Sequence, residues 1–305
     1  MKTPEPSLSV NVDVANPGQF FACCGLLELA HRLWPGAEGW FSSNASIFAI
    51  VGGNDARAPL NHLISELSKV DISGLSEEGR QEMETLGAKS RQSKTEQLSP
   101  EQKSKLKQLG TEARKGKIQI AQPFDLILNW WQTGDDDPAS PKTWAGRQEL
   151  HKIARAAQDA LPTAGDAQAL FDYGAVLRKP KEYCKNNRQH DDAVEPFYFD
   201  ARRFAHPLDA GFSLDAQDTE TLAHPAVELL SLIGLQRFRP APSSAKWCFE
   251  YWTWSQPLPA PVAAGVACGA VPIPARQGYR FRLRFRDDQK RYKAFSYATQ
   301  IGGDS

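Results

Sequence analysis

Four arginines near the carboxyl end of the chain alternate with apolar residues, a pattern that predicts an extended strand with one charged face. They are Arg280, Arg282, Arg284 and Arg286. Side chains on one face of a strand recur about every 6.5 to 7 Å, which resembles the spacing of phosphates along a nucleic-acid strand. Because a guanidinium presents a planar fork of donors that matches phosphate, this row predicts contact with a polyanion. The alternative is an edge strand whose charges oppose aggregation, and the pattern alone does not decide between the two.

The charged residues are unevenly distributed, although 36 basic and 36 acidic side chains give zero formal net charge. From Arg237 to Ser305 the sequence has eleven Lys or Arg against four Asp or Glu. Residues 118–236 hold eleven basic and eighteen acidic side chains. Because local charge decides where a polyanion docks, these counts favour the carboxyl-terminal part as the binding region.

Seven further basic residues are candidates for contact with the same polyanion. Three lie on a predicted hairpin, in which the arginine row pairs with residues 291–297 through a turn at 287–289. These three are Lys290, Arg291 and Lys293. Two more, Arg202 and Arg203, are interleaved with aromatic residues, and the alternative for them is ion pairing with Asp200, Asp209 or Asp215. The last two, Arg237 and Arg239, follow a predicted helix.

Two acidic loops could serve metal or acid–base chemistry. Asp135 to Asp137 are consecutive, and hard cations prefer carboxylate oxygens, but adjacent side chains rarely aim at one point. His190 precedes Asp191 and Asp192, although a histidine in a charged loop is more often simply solvated. The five cysteines show no Cys-x-x-Cys spacing. We therefore expect no catalytic site, no metal site and no cofactor.

The amino-terminal sequence predicts a strand followed by a buried helix. Apolar and polar residues alternate over 8–14, and Asn16-Pro17 supplies an N-cap followed by a proline at the first helical position. The helix is expected to run over 17–34 and to be buried on most sides, because it is almost wholly apolar. Gly18 and Gly25 indicate the close approach of another group to this helix, and tight packing is favoured over an anion bound at Gly18.

The rest of the chain predicts an α+β fold, in which a mixed or antiparallel sheet packs against helices. Residues 73–117 lack aromatics and carry ten basic and seven acidic side chains, so we expect a mobile insertion with one or two charged helical turns capped at Ser99. Residues 1–72 and 118–305 would then form the core, with the basic hairpin in the second part. Strands are predicted at 39–41, 46–51, 124–131 (as a central strand) and 247–254, with a further short strand that begins at Ile118. Helices are predicted at 59–70, 149–161, 225–234 and 259–271.

No apolar run in the sequence approaches the roughly 18 residues that cross a bilayer. Residues 1–9 are polar, with two prolines, and do not have the pattern of a secretory signal. We therefore expect a cytoplasmic protein without a membrane partner.

Four stretches of the sequence resemble CRISPR-associated proteins of the type I-U systems, now called I-G. They are the amino-terminal strand, the helix Asn16–Ala30, the segment 199–213 and the segment 225–239. Within those systems the likeness is to the short Csb-type subunit, and it covers most of the chain except residues 73–117.

The resemblance implies a non-catalytic subunit of a crRNA-guided antiviral surveillance complex (Cascade) that binds guide RNA, target DNA or both beside other effector subunits. Cleavage would then belong to a separate helicase-nuclease. The implied fold is either a ferredoxin-like core, as in the repeat-associated RNA-binding subunits, or that of the large subunit that inspects target DNA. In such complexes the protein recognises the backbone while base pairing reads the sequence, which suits an arginine row.

Two other functions stay open at this point. One is a metal-dependent nuclease that uses the aspartate and histidine loops. The other is a structural assembly subunit whose apolar helix, Phe20 to Leu29, packs on a partner.

Overall fold

The computed structural model describes residues 4–52, 60–92, 98–132, 140–144, 148–163, 167–180, 193–203, 222–286 and 290–302. Its helices are α1 (Pro17–Leu33), α2 (Leu60–Lys69), α3 (Glu77–Gln92), α4 (Pro100–Lys115), α5 (Leu150–Asp159), α6 (Pro225–Arg237) and α7 (Ala260–Ala267). The strands are β1 (Leu8–Asn11), β2 (Glu38–Phe41), β3 (Ile47–Val51), β4 (Ile72–Ser73), β5 (Ile118–Ile120), β6 (Leu126–Leu128), β7 (Ala175–Val176), β8 (Leu222–Ala223), β9 (Ala241–Pro242), β10 (Cys248–Trp252), β11 (Leu258–Pro259), β12 (Gly278–Phe285), β13 (Lys293–Phe295) and β14 (Thr299–Ile301). The predicted α+β class is confirmed.

The strands form several small antiparallel sheets. A four-stranded sheet has the order β1-β3-β2-β11, and a five-stranded sheet has the order β13-β12-β10-β9 with β14 also paired to β12. A three-stranded sheet, β4-β5-β6, and the pair β7-β8 complete the set among the described residues.

The four-stranded sheet agrees with a ferredoxin-like arrangement in three strands and departs from it in the fourth. Strands β1 and β2 lie on either side of β3, and α1 connects them. This is the split β-α-β order with which a ferredoxin-like domain begins. The fourth strand of such a domain would lie beside β1, whereas β11 pairs with β2 here.

Two buried helices, α1 and α6, form the centre of the molecule. Every residue of α1 from Pro17 to Ala30 is buried, and so is every residue of α6 from Pro225 to Leu235. Asn16 caps α1 as predicted, because its side chain accepts a hydrogen bond from the Gly18 N–H at 3.1 Å. The expectation that this helix is buried on most sides is confirmed, and the chain itself supplies the groups that cover it.

Glycines allow α1 and α6 to pack backbone against backbone. A Cβ atom on Gly25 would lie 2.0 Å from the carbonyl oxygen of Leu230, and one on Gly234 would lie 2.1 Å from that of Phe21. Gly18 is in similarly close contact with the backbone of Phe199, since an added Cβ atom would lie 2.4 Å from the Phe199 carbonyl oxygen. The close approach predicted at Gly18 and Gly25 is therefore tight packing.

Aromatic side chains of α1 join the two larger sheets into one core. The Phe20 ring lies 5.5 Å from that of Phe41 in β2 and 4.3 Å from that of Tyr251 in β10. The Phe21 ring lies 6.3 Å from that of Phe281 in β12. Because all of these rings are buried, α1 fills the space between the inner faces of the two sheets.

The charged insertion is more structured than predicted. Helices α3 and α4 are 16 residues long each, where one or two helical turns were expected. They pack on each other around a small apolar cluster of Leu75, Leu86, Leu98, Leu109 and Ala113. Too few apolar residues had been expected for a core, but a narrow helical hairpin needs only one apolar stripe on each helix. The predicted cap is confirmed, since Ser99 and Gln102 form a reciprocal capping box.

The predicted central strand at 124–131 is wrong. Only Leu126–Leu128 pair, at the edge of the three-stranded sheet. Asp125 has a positive φ of 48°, which breaks the extended backbone before the strand. After the strand, Gln236 Oε1 accepts hydrogen bonds from the backbone N–H groups of Asn129 and Trp130. These N–H groups are therefore not free to pair with another strand.

Among the described residues, no helix combines the length and apolar character that crossing a bilayer requires.

Replacing Gly25 by Ala should lower the free energy of unfolding by about 3 kcal/mol, because the new methyl group must push α1 and α6 apart. Gly110→Ala in α4 is the matched control, since a Cβ there meets nothing within 4 Å. That change should be neutral or stabilise by up to about 1 kcal/mol, because Ala favours a helix. Urea unfolding measures both variants, and equal effects at the two sites would contradict the packing described.

Candidate nucleic-acid interface

The arginine row lies on β12, which is an interior strand of the five-stranded sheet. On one side β12 pairs with β10 along Gly278 to Arg282. On the other side it pairs with β13 near one end and with β14 near the other. The alternative of an aggregation-opposing edge strand is therefore wrong.

The predicted alternation of faces is confirmed. Tyr279, Phe281 and Leu283 are buried, whereas Arg280, Arg282 and Arg284 are exposed. We call the outer surface of this sheet, formed by the outward residues of β10 and β12, the arginine face. Its residues are Cys248, Glu250, Trp252, Gly278, Arg280, Arg282 and Arg284.

Two of the four arginines of the row are engaged by the chain itself. Arg280 Nε donates to Glu250 Oε1 at 2.8 Å, directly across the β10–β12 pair. Arg286 lies past the end of β12, where its guanidinium is 3.2 Å from Glu195 and its Cζ is 3.4 Å from the ring centroid of Tyr198. Because the Arg286 side chain is only 9% exposed, it contributes little to the arginine face.

Arg282 and Arg284 are exposed, and neither guanidinium has an acidic partner within the part of the chain that the structure describes. Their cross-strand neighbours are Cys248 and Ala294, which carry no charge. The two side chains lie on the same face two residues apart, about 6.5 to 7 Å along the strand. These two positive charges are therefore the part of the row that is available to a polyanion.

The predicted hairpin between β12 and β13 is confirmed, but its basic residues divide between two environments. Lys290 and Arg291 are exposed. Lys293 is buried, with its Nζ 4.3 Å from the ring centroid of Trp247. It lies opposite Phe285 and two residues before the buried Phe295, so the strand period already placed Lys293 on the inner face.

The second group of candidates is also divided. Arg202 lies 2.7 Å from Asp200 and 3.3 Å from Asp172, so the ion-pairing alternative holds for it, while Asp209 and Asp215 lie outside the described residues. Arg237, at the end of α6, donates a hydrogen bond to the Glu28 carboxylate of α1. Arg32 forms an ion pair with the same carboxylate. Arg203 is partly exposed and Arg239 is exposed.

A buried polar cluster joins the amino-terminal ends of α1 and α6, and we call it the Asp200 cluster. Its members are Asn16, Asp200, Arg202, His224 and Glu228. Asn16 Nδ2 donates to Asp200 Oδ1 at 2.7 Å, and His224 Nδ1 lies 2.9 Å from Asp200 Oδ2. Glu228 accepts hydrogen bonds from the N–H groups of Phe199 and Asp200, both at 3.3 Å. Of these contacts, only the pair of Asp200 and Arg202 was foreseen from the sequence.

The two carboxyl groups of the cluster have opposite pKa shifts. Burial alone would raise the pKa of Asp200, but hydrogen bonds and positive charge from His224 and Arg202 outweigh burial and hold this pKa well below its usual range. Burial and the charge of Asp200 together raise the pKa of Glu228 to about 8. At neutral pH the cluster therefore contains one carboxylate and one protonated carboxyl group.

The Asp200 cluster positions other parts of the chain. Asp200 and Glu228 have no exposed surface, so a substrate could not reach either carboxyl group in this arrangement. The cluster fixes the segment that follows Tyr198, whose carbonyl oxygen accepts the Phe295 N–H of β13 at 3.0 Å. It therefore supports one edge of the sheet that carries the arginine face.

The described residues contain no group of three His, Cys, Asp or Glu side chains placed to hold a metal ion. The candidates Asp135 to Asp137 and His190 to Asp192 lie outside the residues that the structure describes.

Comparisons of the chain with protein-family models, with curated proteins and with solved structures found no match.

Replacing Asp200 by Asn should lower the free energy of unfolding by about 3 kcal/mol, because Arg202 and His224 lose the buried charge between them. Asp172→Asn is the matched control, since Asp172 pairs with the same arginine but its side chain is 70% exposed. It should change stability by at most about 1 kcal/mol. Chemical unfolding at pH 7 measures both variants, and a small effect at Asp200 would show that the buried charge is not needed.

Glu228 should make stability fall as pH rises. The unfolded carboxyl group loses its proton near its ordinary pKa of 4.5, whereas the folded one keeps it to about pH 8. Between those values the folded state binds more protons, so the free energy of unfolding decreases by up to about 1.4 kcal/mol per pH unit. Relative to the wild type, Glu228→Gln should become more stable with rising pH across this window. Parallel pH profiles of urea unfolding for the two proteins would contradict the raised pKa.

Proposed function

We propose that this chain is a nucleic-acid-binding subunit that holds a polynucleotide backbone on the arginine face. The observation that carries the proposal is the exposed pair Arg282 and Arg284, two guanidinium groups without acidic partners in the described structure. A guanidinium binds phosphate through paired hydrogen bonds as well as charge, which fits this position better than a general role in solubility.

The charge around this pair supports the proposal. The described residues from 237 to 302 include eleven Lys or Arg, and Glu250 is their single acidic residue. Exposed basic residues of this part include Lys246, Lys290 and Arg291. Because formal net charge is zero, a polyanion would be attracted to this region and not to the protein as a whole.

The sequence resemblance gives the proposal its biological setting. A Csb-type subunit of a type I-G surveillance complex would bind guide RNA, target DNA or both, beside other effector subunits, and would itself cut neither. Backbone contacts of the kind that Arg282 and Arg284 can make are independent of sequence, as base pairing by a guide requires.

The two alternatives are less well supported. The metal-dependent nuclease has no observation in its favour among the described residues. The structural subunit was expected to present the helix Phe20 to Leu29 to a partner, but the chain's own core buries that helix. That form of the structural alternative is therefore wrong.

The double variant Arg282→Glu, Arg284→Glu should weaken binding to single-stranded oligonucleotides of unrelated sequence by the same factor, about tenfold or more at low salt. If each arginine contacts one phosphate, the slope of log K against log salt should fall in magnitude by about 1.4. The matched control is Lys103→Glu, Lys107→Glu on α4, which changes the net charge equally at two exposed residues far along the chain. Fluorescence anisotropy titrations over a range of salt measure all three proteins.

Equal losses in the two double variants would show that binding follows net charge and would contradict a site on the arginine face. In a producing cell, the wild-type protein should co-purify with nucleic acid. Identification of that nucleic acid before and after ribonuclease treatment separates guide RNA from DNA.

A further inference from the structure

Trp252 is an aromatic residue on the arginine face that the proposed function does not use. It follows Glu250 by two residues on β10, and it lies opposite Gly278 in the β10–β12 register. Gly278 precedes Arg280 by two residues, so Trp252 and the arginines share one side of the sheet. The Trp252 side chain is partly exposed, whereas its neighbours Tyr251 and Thr253 are buried.

Two glycines make room for the Trp252 indole on this surface. A Cβ on Gly278 would lie 2.7 Å from the indole Nε1, so the five-membered ring sits over the backbone of β12. A Cβ on Gly269 would lie 2.6 Å from the six-membered ring. Any side chain at either position would displace the indole. The ring is thus held at the start of the arginine row, in line with Arg280, Arg282 and Arg284.

Arg276 borders the same ring and has an unused donor. Its Cζ lies 5.6 Å from the Trp252 ring centroid, within the range of a cation–π contact but too far to cover the ring fully. Its Nη1 has no hydrogen-bond partner in the described structure, although that atom is buried. Unpaired bases stack on aromatic rings, such as the indole, and on the planes of guanidinium groups.

The middle of the arginine face carries no net charge, and this neutral region separates the Trp252 ring from the pair Arg282 and Arg284. Glu250 offsets the charge of Arg280, so positive charge without a partner begins at Arg282. From the position of Gly278 to that of Arg282 the distance is about 13 Å along the strand, roughly two nucleotide repeats of an extended single strand. The stacking surface and the phosphate-binding pair are therefore spaced so that one short strand could reach both.

From these positions we propose that the arginine face binds a single-stranded nucleic acid, with a base stacked on Trp252 beside Arg276 and phosphates on Arg282 and Arg284. A duplex keeps its bases paired and stacked inside, and so it offers base faces to the indole only at its two ends. RNA and DNA single strands share the chemistry that this site recognises. The inference rests on the proposed function, because it adds a base to the backbone contacts.

The test uses the full chain and labelled adenosine oligomers of about twelve nucleotides, as RNA, as DNA, and as a blunt duplex in which the DNA oligomer is annealed to its thymidine complement. Trp252→Leu should raise the Kd for one or both single strands about tenfold and leave the salt slope unchanged, because stacking releases no counterions. Trp252→Phe should keep most of the affinity, and Tyr173→Leu, which removes an exposed aromatic residue from the segment before β7, should keep all of it. The wild type should bind the duplex more weakly than the single strands.

A second measurement needs no change in the protein. An oligomer of the same length with abasic sites keeps every phosphate, so the wild type should bind it about tenfold more weakly if a base stacks on Trp252. This result stays informative if Trp252→Leu fails to fold.

The outcomes separate the two proposals. Equal binding of normal and abasic strands, or of single strands and duplex, would overturn the stacking site. If Arg282→Glu, Arg284→Glu still weakened binding in that case, the proposed function would stand. If the wild type bound none of these nucleic acids, both proposals would fail. A preference for RNA or for DNA supports the stacking site when Trp252→Leu weakens the preferred strand.

Discussion

The contact between α1 and α6 is the constraint on which the rest of the fold depends. Gly25 and Gly234 remove the side chains that would hold the helices apart, so the backbone of each helix meets the other directly. Two helices this close can be covered on their remaining sides by the sheets and by α2, α5 and α7, which explains why both are buried along nearly their whole length. Phe20 and Phe21 then reach the inner faces of two different sheets.

This helix pair also determines where the polar and charged groups lie. The amino-terminal ends of α1 and α6 come together, and the polar side chains between them would be costly to bury without the partners that the Asp200 cluster supplies. The cluster fixes the segment that borders β13. Because the inner face of the five-stranded sheet packs on α1, the arginines of β12 have only the outer face to occupy. Because the inner face of the five-stranded sheet is buried, the charged side chains of β10 and β12 lie on the outer face.

Local patterns in the sequence predicted most of the helices and the face of the arginine row. The cap at Asn16, the close approach at Gly25 and the capping box at Ser99 all depend on neighbouring residues, and each is confirmed. Contacts between distant residues could not be predicted in this way. The partners of Arg280, Arg237 and Asn16 come from other elements, so only the fold shows that these side chains are engaged. The early end of β6 likewise depends on Gln236, more than a hundred residues later.

We propose that the outer face of the five-stranded sheet contacts a polynucleotide. Photochemical cross-linking of the wild-type protein to a single-stranded oligomer that contains thiolated bases, followed by mass spectrometry of the peptides, tests it most directly. Cross-linked residues are expected within β10 and β12, at 248–252 and 278–285. Cross-links confined to the helical hairpin of α3 and α4, or none at all with a strand that binds, would contradict it.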